Sequence, residues 1–194
     1  SNMRIVAFGC SYTYGHGLPD CLDNDGHPGP NDSKLAFPAL VAKKLECEYV
    51  NLGKSGNSNK EIWNDILNFK FQDDDIVIIT WTYYSRFCII KSNTTQRINP
   101  WNERDKPFYM NYSNRNDMLL DFYTRLNHIN TYLQTKNIKS FNYVIEDSEN
   151  ESPEWNTVDI LGVFQKIDEA DDECHPGEHS HVVFADEIHN HIIR

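Results

Sequence analysis

Arg4-Ile5-Val6-Ala7-Phe8-Gly9-Cys10-Ser11-Tyr12-Thr13-Tyr14-Gly15-His16-Gly17 is the stretch on which the reading of the fold turns. Ile5 to Gly9 forms a short apolar run closed by glycine, which predicts a strand buried on both faces of a parallel sheet. Ser11 follows at once. A hydroxyl at the carboxyl end of such a strand projects into the crevice where open α/β sheets bind ligands, so Ser11 is a candidate nucleophile. The same string also fits a phosphate-cradling loop or a plain turn and helix N-cap.

Outward from this stretch, strands alternate with helices. After a polar loop from Leu18 to Ser33, Leu35, Ala39, Leu40, Ala42 and Leu45 recur at helical spacing, with Ser33 as N-cap and Pro38 in the first turn. Glu48 to Leu52 reads as the next strand, and Ser58-Asn59-Lys60-Glu61 is a capping box that opens a helix burying Ile62, Trp63, Ile66 and Leu67. Ile76 to Thr80 is the strongest strand signal, continuous and β-branched. A helix is predicted over Met118 to Thr135, with Asn137 as a left-handed cap, then a strand from Phe141 to Ile145 and a short fifth strand around Val158 to Leu161. Val182 to Ile193 reads as the last helix. The pattern predicts one α/β domain over residues 3–194, a three-layer α/β/α sandwich around a parallel sheet of about five strands. Ser1-Asn2 ahead of Met3 reads as a tag remnant.

The far end of the chain gives Ser11 a partner. Asp172-Glu173-Cys174-His175-Pro176-Gly177 sets an acid three residues before an imidazole on a loop, where the carboxylate can orient the ring. Gly9-Cys10-Ser11 at one end and Asp172 with His175 at the other resemble the first and last blocks of the SGNH hydrolases, the GDSL esterase and lipase family, with Cys10 where the family carries Asp. Asn51-Leu52-Gly53-Lys54-Ser55-Gly56-Asn57-Ser58 resembles the second block. The third block, Gly-x-Asn-Asp, is absent: Thr80-Trp81-Thr82-Tyr83-Tyr84-Ser85-Arg86 stands there instead. The resemblance implies a flavodoxin-like three-layer fold and ester hydrolysis by Ser11, His175 and Asp172 without cofactor or metal. It also implies an oxyanion hole from the N–H groups of Ser11 and Gly56, with Thr82 or Tyr83 as stand-ins for the absent asparagine. An acyl or acetyl ester, on a small molecule or a glycan, is the implied substrate.

Residues from about 84 to 117 form an insertion that mixes aromatic residues with arginines and asparagines. Such a surface can stack on sugar faces, cap an acyl pocket, or be a small packed subdomain. Arg86 and Tyr84 are its substrate-side candidates; Arg86 can pair with a substrate carboxylate or phosphate, or form a structural salt bridge with one of 29 acidic residues.

Composition narrows the partners. A net charge of −11, from 29 acidic and 18 basic residues, argues against nucleic acid and against an anionic membrane. Five cysteines at irregular spacing show neither a disulfide ladder nor a paired zinc pattern, which points to a reducing, cytoplasmic setting. Cys174, His175, His179 and His181 nevertheless cluster, so zinc is a competing reading, and Cys10 is a competing nucleophile. A non-catalytic binding module that holds a glycan or protein through the insertion, or a nucleotide-binding flavodoxin-like protein, would use the same fold.

Overall fold

In the computed structural model, which describes residues 2–194, the elements in chain order are β1 (Arg4–Phe8), α1 (Ser11–Tyr14), α2 (Phe37–Leu45), β2 (Glu48–Asn51), α3 (Asn59–Asn68), β3 (Asp75–Trp81), β4 (Phe87–Ile90), β5 (Thr95–Ile98), α4 (Lys106–Asn111), α5 (Arg115–Thr135), β6 (Lys139–Val144) and α6 (Glu178–Ile193). The main sheet runs β2-β1-β3-β6 and is parallel throughout. Its central pair is β1 and β3, in register from Arg4 opposite Asp75 to Phe8 opposite Ile79. This is the predicted α/β/α sandwich.

Strand geometry sends successive side chains to opposite faces. Val6, Phe8, Val77 and Ile79 therefore pack under α3 and α5 with Ile62, Ile66, Phe122 and Leu126. Ile5 and Ile78 face the other way, onto Phe37 and Val41 of α2 and Phe184 and Ile188 of α6. Both faces are covered, which is why the strands read as continuous apolar runs rather than as alternating ones.

Several boundaries differ from expectation for local reasons. Ser33 does not cap α2; its hydroxyl takes the Leu35 N–H and donates to Asp20, and the helix starts one turn later with Ala36 as N-cap. The expected helix at Met118 begins at Arg115, because the Asn114 side chain accepts from the Asn116 N–H. The last helix begins at Glu178 rather than Val182. There the Asp168 carboxylate takes the N–H groups of His179 and Ser180 and the Ser180 hydroxyl, which holds a polar first turn in place.

The fifth strand is rudimentary and shifted. Leu161 N–H donates to the Asn142 carbonyl, Val144 N–H to Gly162, and Phe164 N–H to Val144, a short parallel pairing along the free edge of β6. Residues 156–158 are drawn off the sheet: Asn127 accepts the Thr157 N–H, and Val158 is buried in the α5-side core. The insertion is folded. It consists of the antiparallel hairpin β4–β5, a 3-10 turn and α4, with the Phe87 ring packed at a tilt against Phe108 and the Tyr109 hydroxyl donating to the Ser85 and Ile98 carbonyls. Among the described residues no helix is long and apolar enough to cross a membrane.

One buried charge ties the base of the two central strands together. The Asp75 side chain is fully buried, takes two N–H bonds from Arg4 at 2.8 and 3.0 Å, and accepts the Gln72 N–H. Removing only the arginine leaves that carboxylate without its cation. We expect Arg4→Met to lower the unfolding free energy by about 3 kcal/mol, and Arg4→Met with Asp75→Asn to recover part of the loss, measured by chemical denaturation.

Candidate active site

β1 ends at Phe8, and the chain turns through Gly9 and Cys10 directly into α1. The turn needs glycine at position 9, since a Cβ there would lie 2.0 Å from the Thr13 hydroxyl. Ser11 is thereby set at the first position of α1, at the carboxyl end of a central strand and almost wholly buried.

His175 reaches it from a loop fixed at several points. The Asp172 carboxylate accepts the backbone N–H groups of Cys174 and His175, closing a tight turn. Glu169 and Pro176 form an antiparallel bridge across the base of the loop, and the Asp171 N–H donates to the Gly17 carbonyl, joining the loop to the segment after α1. Within this frame His175 Nδ1 lies 2.5 Å from Asp172 Oδ2, and Nε2 lies 3.1 Å from Ser11 Oγ. Because a carboxylate only accepts, Nδ1 carries the proton and Nε2 is left to accept from the Ser11 hydroxyl.

The electrostatics agree with that tautomer. Burial lowers the His175 pKa below its ordinary value; Asp172 opposes the shift, while the neighbouring His16 and Arg86 push the same way as burial. Burial alone would raise Asp172, but hydrogen bonds from His175 and Cys174 outweigh it and hold the carboxyl below its usual range. The pair is therefore a neutral imidazole beside a carboxylate at neutral pH.

Two neighbours were not legible as site residues. His16 stacks on His175 with ring centroids 4.3 Å apart, its Nε2 facing the Gly26 carbonyl and its Nδ1 the Ser55 hydroxyl. Tyr12 packs edge-on to His175 at 6.0 Å, and its hydroxyl lies 3.2 Å from that of Tyr83. The available signal was proximity to Ser11 in sequence, which singles out neither.

The zinc reading disperses. His181 is buried, with Nδ1 accepting the Phe37 N–H, and its pKa is pushed down to about 3 by burial; His179 and Cys174 are exposed. His16, Asp172 and His175 bring one donor atom each within 4.8 Å of one another, a spacing compatible with a cation. However, Asp172 already spends both carboxylate oxygens on N–H donors, as an imidazole-orienting acid does.

Gly56 sits on the loop beside this turn. That loop is tied to the end of β1 by Lys54 N–H and Asn57 Nδ2, both donating to the Gly9 carbonyl. Among the described residues, the N–H groups of Ser11 and Gly56 have no protein acceptor. Thr82 offers no free backbone donor: its N–H goes to Asn59 Oδ1, and its buried hydroxyl lies against Arg86 Nη1. Tyr83 keeps its hydroxyl on Tyr12. Tyr84, expected at the substrate, is buried, with its hydroxyl bonded to the Glu146 carbonyl and the Ser148 hydroxyl.

No family model matches the chain, and no curated protein matches it by sequence. Solved structures do. A lipolytic protein of the G-D-S-L family from Desulfitobacterium hafniense aligns over 97% of this chain and 99% of its own at 14% identity, TM-score 0.56. The fold is that of the SGNH hydrolases. An acetyl xylan esterase from Butyrivibrio proteoclasticus aligns over 98% of this chain at 15% identity and TM-score 0.59, and a family two carbohydrate esterase from Clostridium thermocellum, solved with cellohexaose, does so over 98% at 12% and 0.52. The chain spans 63% of the length of each of these two esterases.

Gly56 takes a conformation that only glycine adopts freely, φ +80°. A Cβ there would also lie 2.7 Å from Arg97 Nη1, which donates to the Ser55 carbonyl. Gly56→Ala should therefore cost about 1–2 kcal/mol of stability, measured by thermal or chemical unfolding.

Proposed function

We propose that this protein is a serine esterase that works through Ser11, His175 and Asp172. One observation carries the reading: an unbroken run of hydrogen-bond contacts leads from a carboxylate through an imidazole to a hydroxyl, at 2.5 and 3.1 Å. Ser11 Oγ attacks the ester carbonyl carbon as its proton passes to His175 Nε2, and Asp172 stabilises the imidazolium that results. The N–H groups of Ser11 and Gly56 receive the oxyanion; both lack protein acceptors among the described residues. His175 returns the proton to the leaving alcohol, and water then repeats the attack on the acyl-enzyme and releases the acid. The residues named supply every proton transfer, so this route calls for no cofactor.

The substrate class is an acyl or acetyl ester, on a small molecule or a carbohydrate. Ester hydrolysis on this fold is supported by the esterases that share it, one an acetyl xylan esterase. A reducing compartment such as the cytoplasm is supported by five cysteines that are all free thiols.

Hydrolysis of 4-nitrophenyl acetate by the wild type, reduced by about 10⁴-fold or more in Ser11→Ala, is the expected result; equal rates in the two proteins would end the hydrolase reading. The pH profile supplies an independent check. Protonated His175 cannot accept the Ser11 proton, so kcat/KM falls as pH drops through its pKa. Because burial holds that pKa below the ordinary 6.5, the acid limb should lie below pH 6.5.

A further inference from the structure

Five of the seven arginines in this acidic chain, Arg4, Arg97, Arg104, Arg115 and Arg125, have a carboxylate within 4.0 Å, and of the other two Arg194 is the exposed last residue. Arg86 has none among the described residues, although its guanidinium is held at several points. Its carbon Cζ lies 5.2 Å from the ring centres of both Tyr83 and Trp101, so two aromatic faces hold it. Nη1 donates to the Asn57 carbonyl and lies 3.2 Å from the Thr82 hydroxyl. Nε is buried without a partner, whereas Nη2 is neither sealed nor bonded to any protein group.

This cation belongs to the surroundings of Ser11. Asn57 adjoins Gly56 and is bonded to the end of β1. Tyr83, under the guanidinium, touches Tyr12 through its hydroxyl, and Tyr12 packs on His175. The Arg86 charge is felt at His175, where it disfavours the imidazolium. A guanidinium fixed on one edge, unpaired on another, and within electrostatic reach of His175 is arranged for an anion that arrives from outside.

We propose that Arg86 binds a carboxylate carried by the substrate, so that the ester cleaved bears a free carboxylate close to the scissile bond. This rests on the esterase reading and names its substrate class. A carboxylate is favoured over a phosphate monoester because a single positive charge with one free nitrogen matches one negative charge. Trp101 is 59% exposed, so one of the two aromatic faces on the guanidinium is itself open to solvent.

The test compares esters in pairs that differ by one carboxylate. On the acyl side the pair is 4-nitrophenyl acetate and mono-4-nitrophenyl succinate; on the alcohol side it is phenyl acetate and 4-acetoxybenzoate. The readout is the ratio of kcat/KM within a pair, so any general loss from disturbing Asn57 cancels. Wild type should prefer the carboxylate ester in at least one pair by about 10- to 100-fold, the range for a charge-assisted hydrogen bond. The ratio should fall towards one in Arg86→Gln and be partly kept in Arg86→Lys. A wild-type ratio near one in both pairs, or a preference that survives in Arg86→Gln, would overturn the proposal. If wild type hydrolyses none of the four, the esterase reading fails, and succinate binding decides this one separately, followed by tryptophan fluorescence with Trp101→Phe to identify the signal. Saturable succinate binding that is lost in Arg86→Gln would support the anion site; no binding would overturn it.

Discussion

The 3.1 Å contact between Ser11 Oγ and His175 Nε2 joins two residues 164 positions apart, and the rest of the molecule is arranged so that it can form. One partner is placed by the sheet: β1 lies between β2 and β3, so the turn at its end has little freedom to move. The other is placed by a loop with no regular structure, which must be fixed by bonds of its own. It has them at Asp172, at the Glu169–Pro176 bridge, at Gly17, and at Asp168, which caps the helix that follows. Each such bond contributes only about 1 kcal/mol net, yet together they leave the imidazole one orientation, and orientation is what proton transfer requires.

The end of β3 and the loop carrying Gly56 are braced by side chains from α3 and from the insertion. Thr82, at the end of β3, is held on both backbone sides by Asn59, whose amide accepts from its N–H and donates to its carbonyl. The loop carrying Gly56 is gripped from the insertion instead. Arg97 donates to the Ser55 carbonyl and to Asn57 Oδ1 while pairing with buried Glu61, and Arg86 donates to the Asn57 carbonyl. The insertion thus holds the loop that bears the proposed oxyanion donor, and its hairpin is tied in return to α3 by the same ion pair. A segment serving both purposes is constrained twice, which fits its folding into a compact unit rather than an open flap.

How much of this could be read from the chain depended on how local the determinants were. The central strands were legible because burial on both faces writes itself into consecutive apolar residues, and the Asp172–His175 turn because its acid and base are three positions apart. The start of α3 was legible for the same reason: Ser58 and Glu61 cap each other within one turn. The burial of Tyr84 was not legible because its hydroxyl partners, Glu146 and Ser148, lie more than sixty positions away. The β4–β5 hairpin escaped notice since four-residue strands carry little periodicity, and Arg97, which anchors it, finds Glu61 only in three dimensions. The fifth strand was misplaced by three residues because Asn127 of α5 captures the Thr157 N–H that a strand would have given to the sheet.

The overall charge of −11 and a carboxylate-bearing substrate are compatible once distance is considered. At physiological ionic strength charges beyond about 8 Å are largely screened, so most of the 29 acidic groups act on an incoming anion only weakly and in sum. What the anion meets on arrival is set by the nearest groups. Asp172 is the acid closest to the imidazole, and its oxygens are turned inward onto three N–H donors, which spreads its charge into the loop. Arg86 is the nearby cation, partly dehydrated between Tyr83 and Trp101, where a charge interacts more strongly than in bulk water. An acidic surface around a single positive point would slow the approach of anions while leaving their final contact favourable, and would admit neutral or cationic esters without holding them. Selectivity in such a site comes from the last few ångströms.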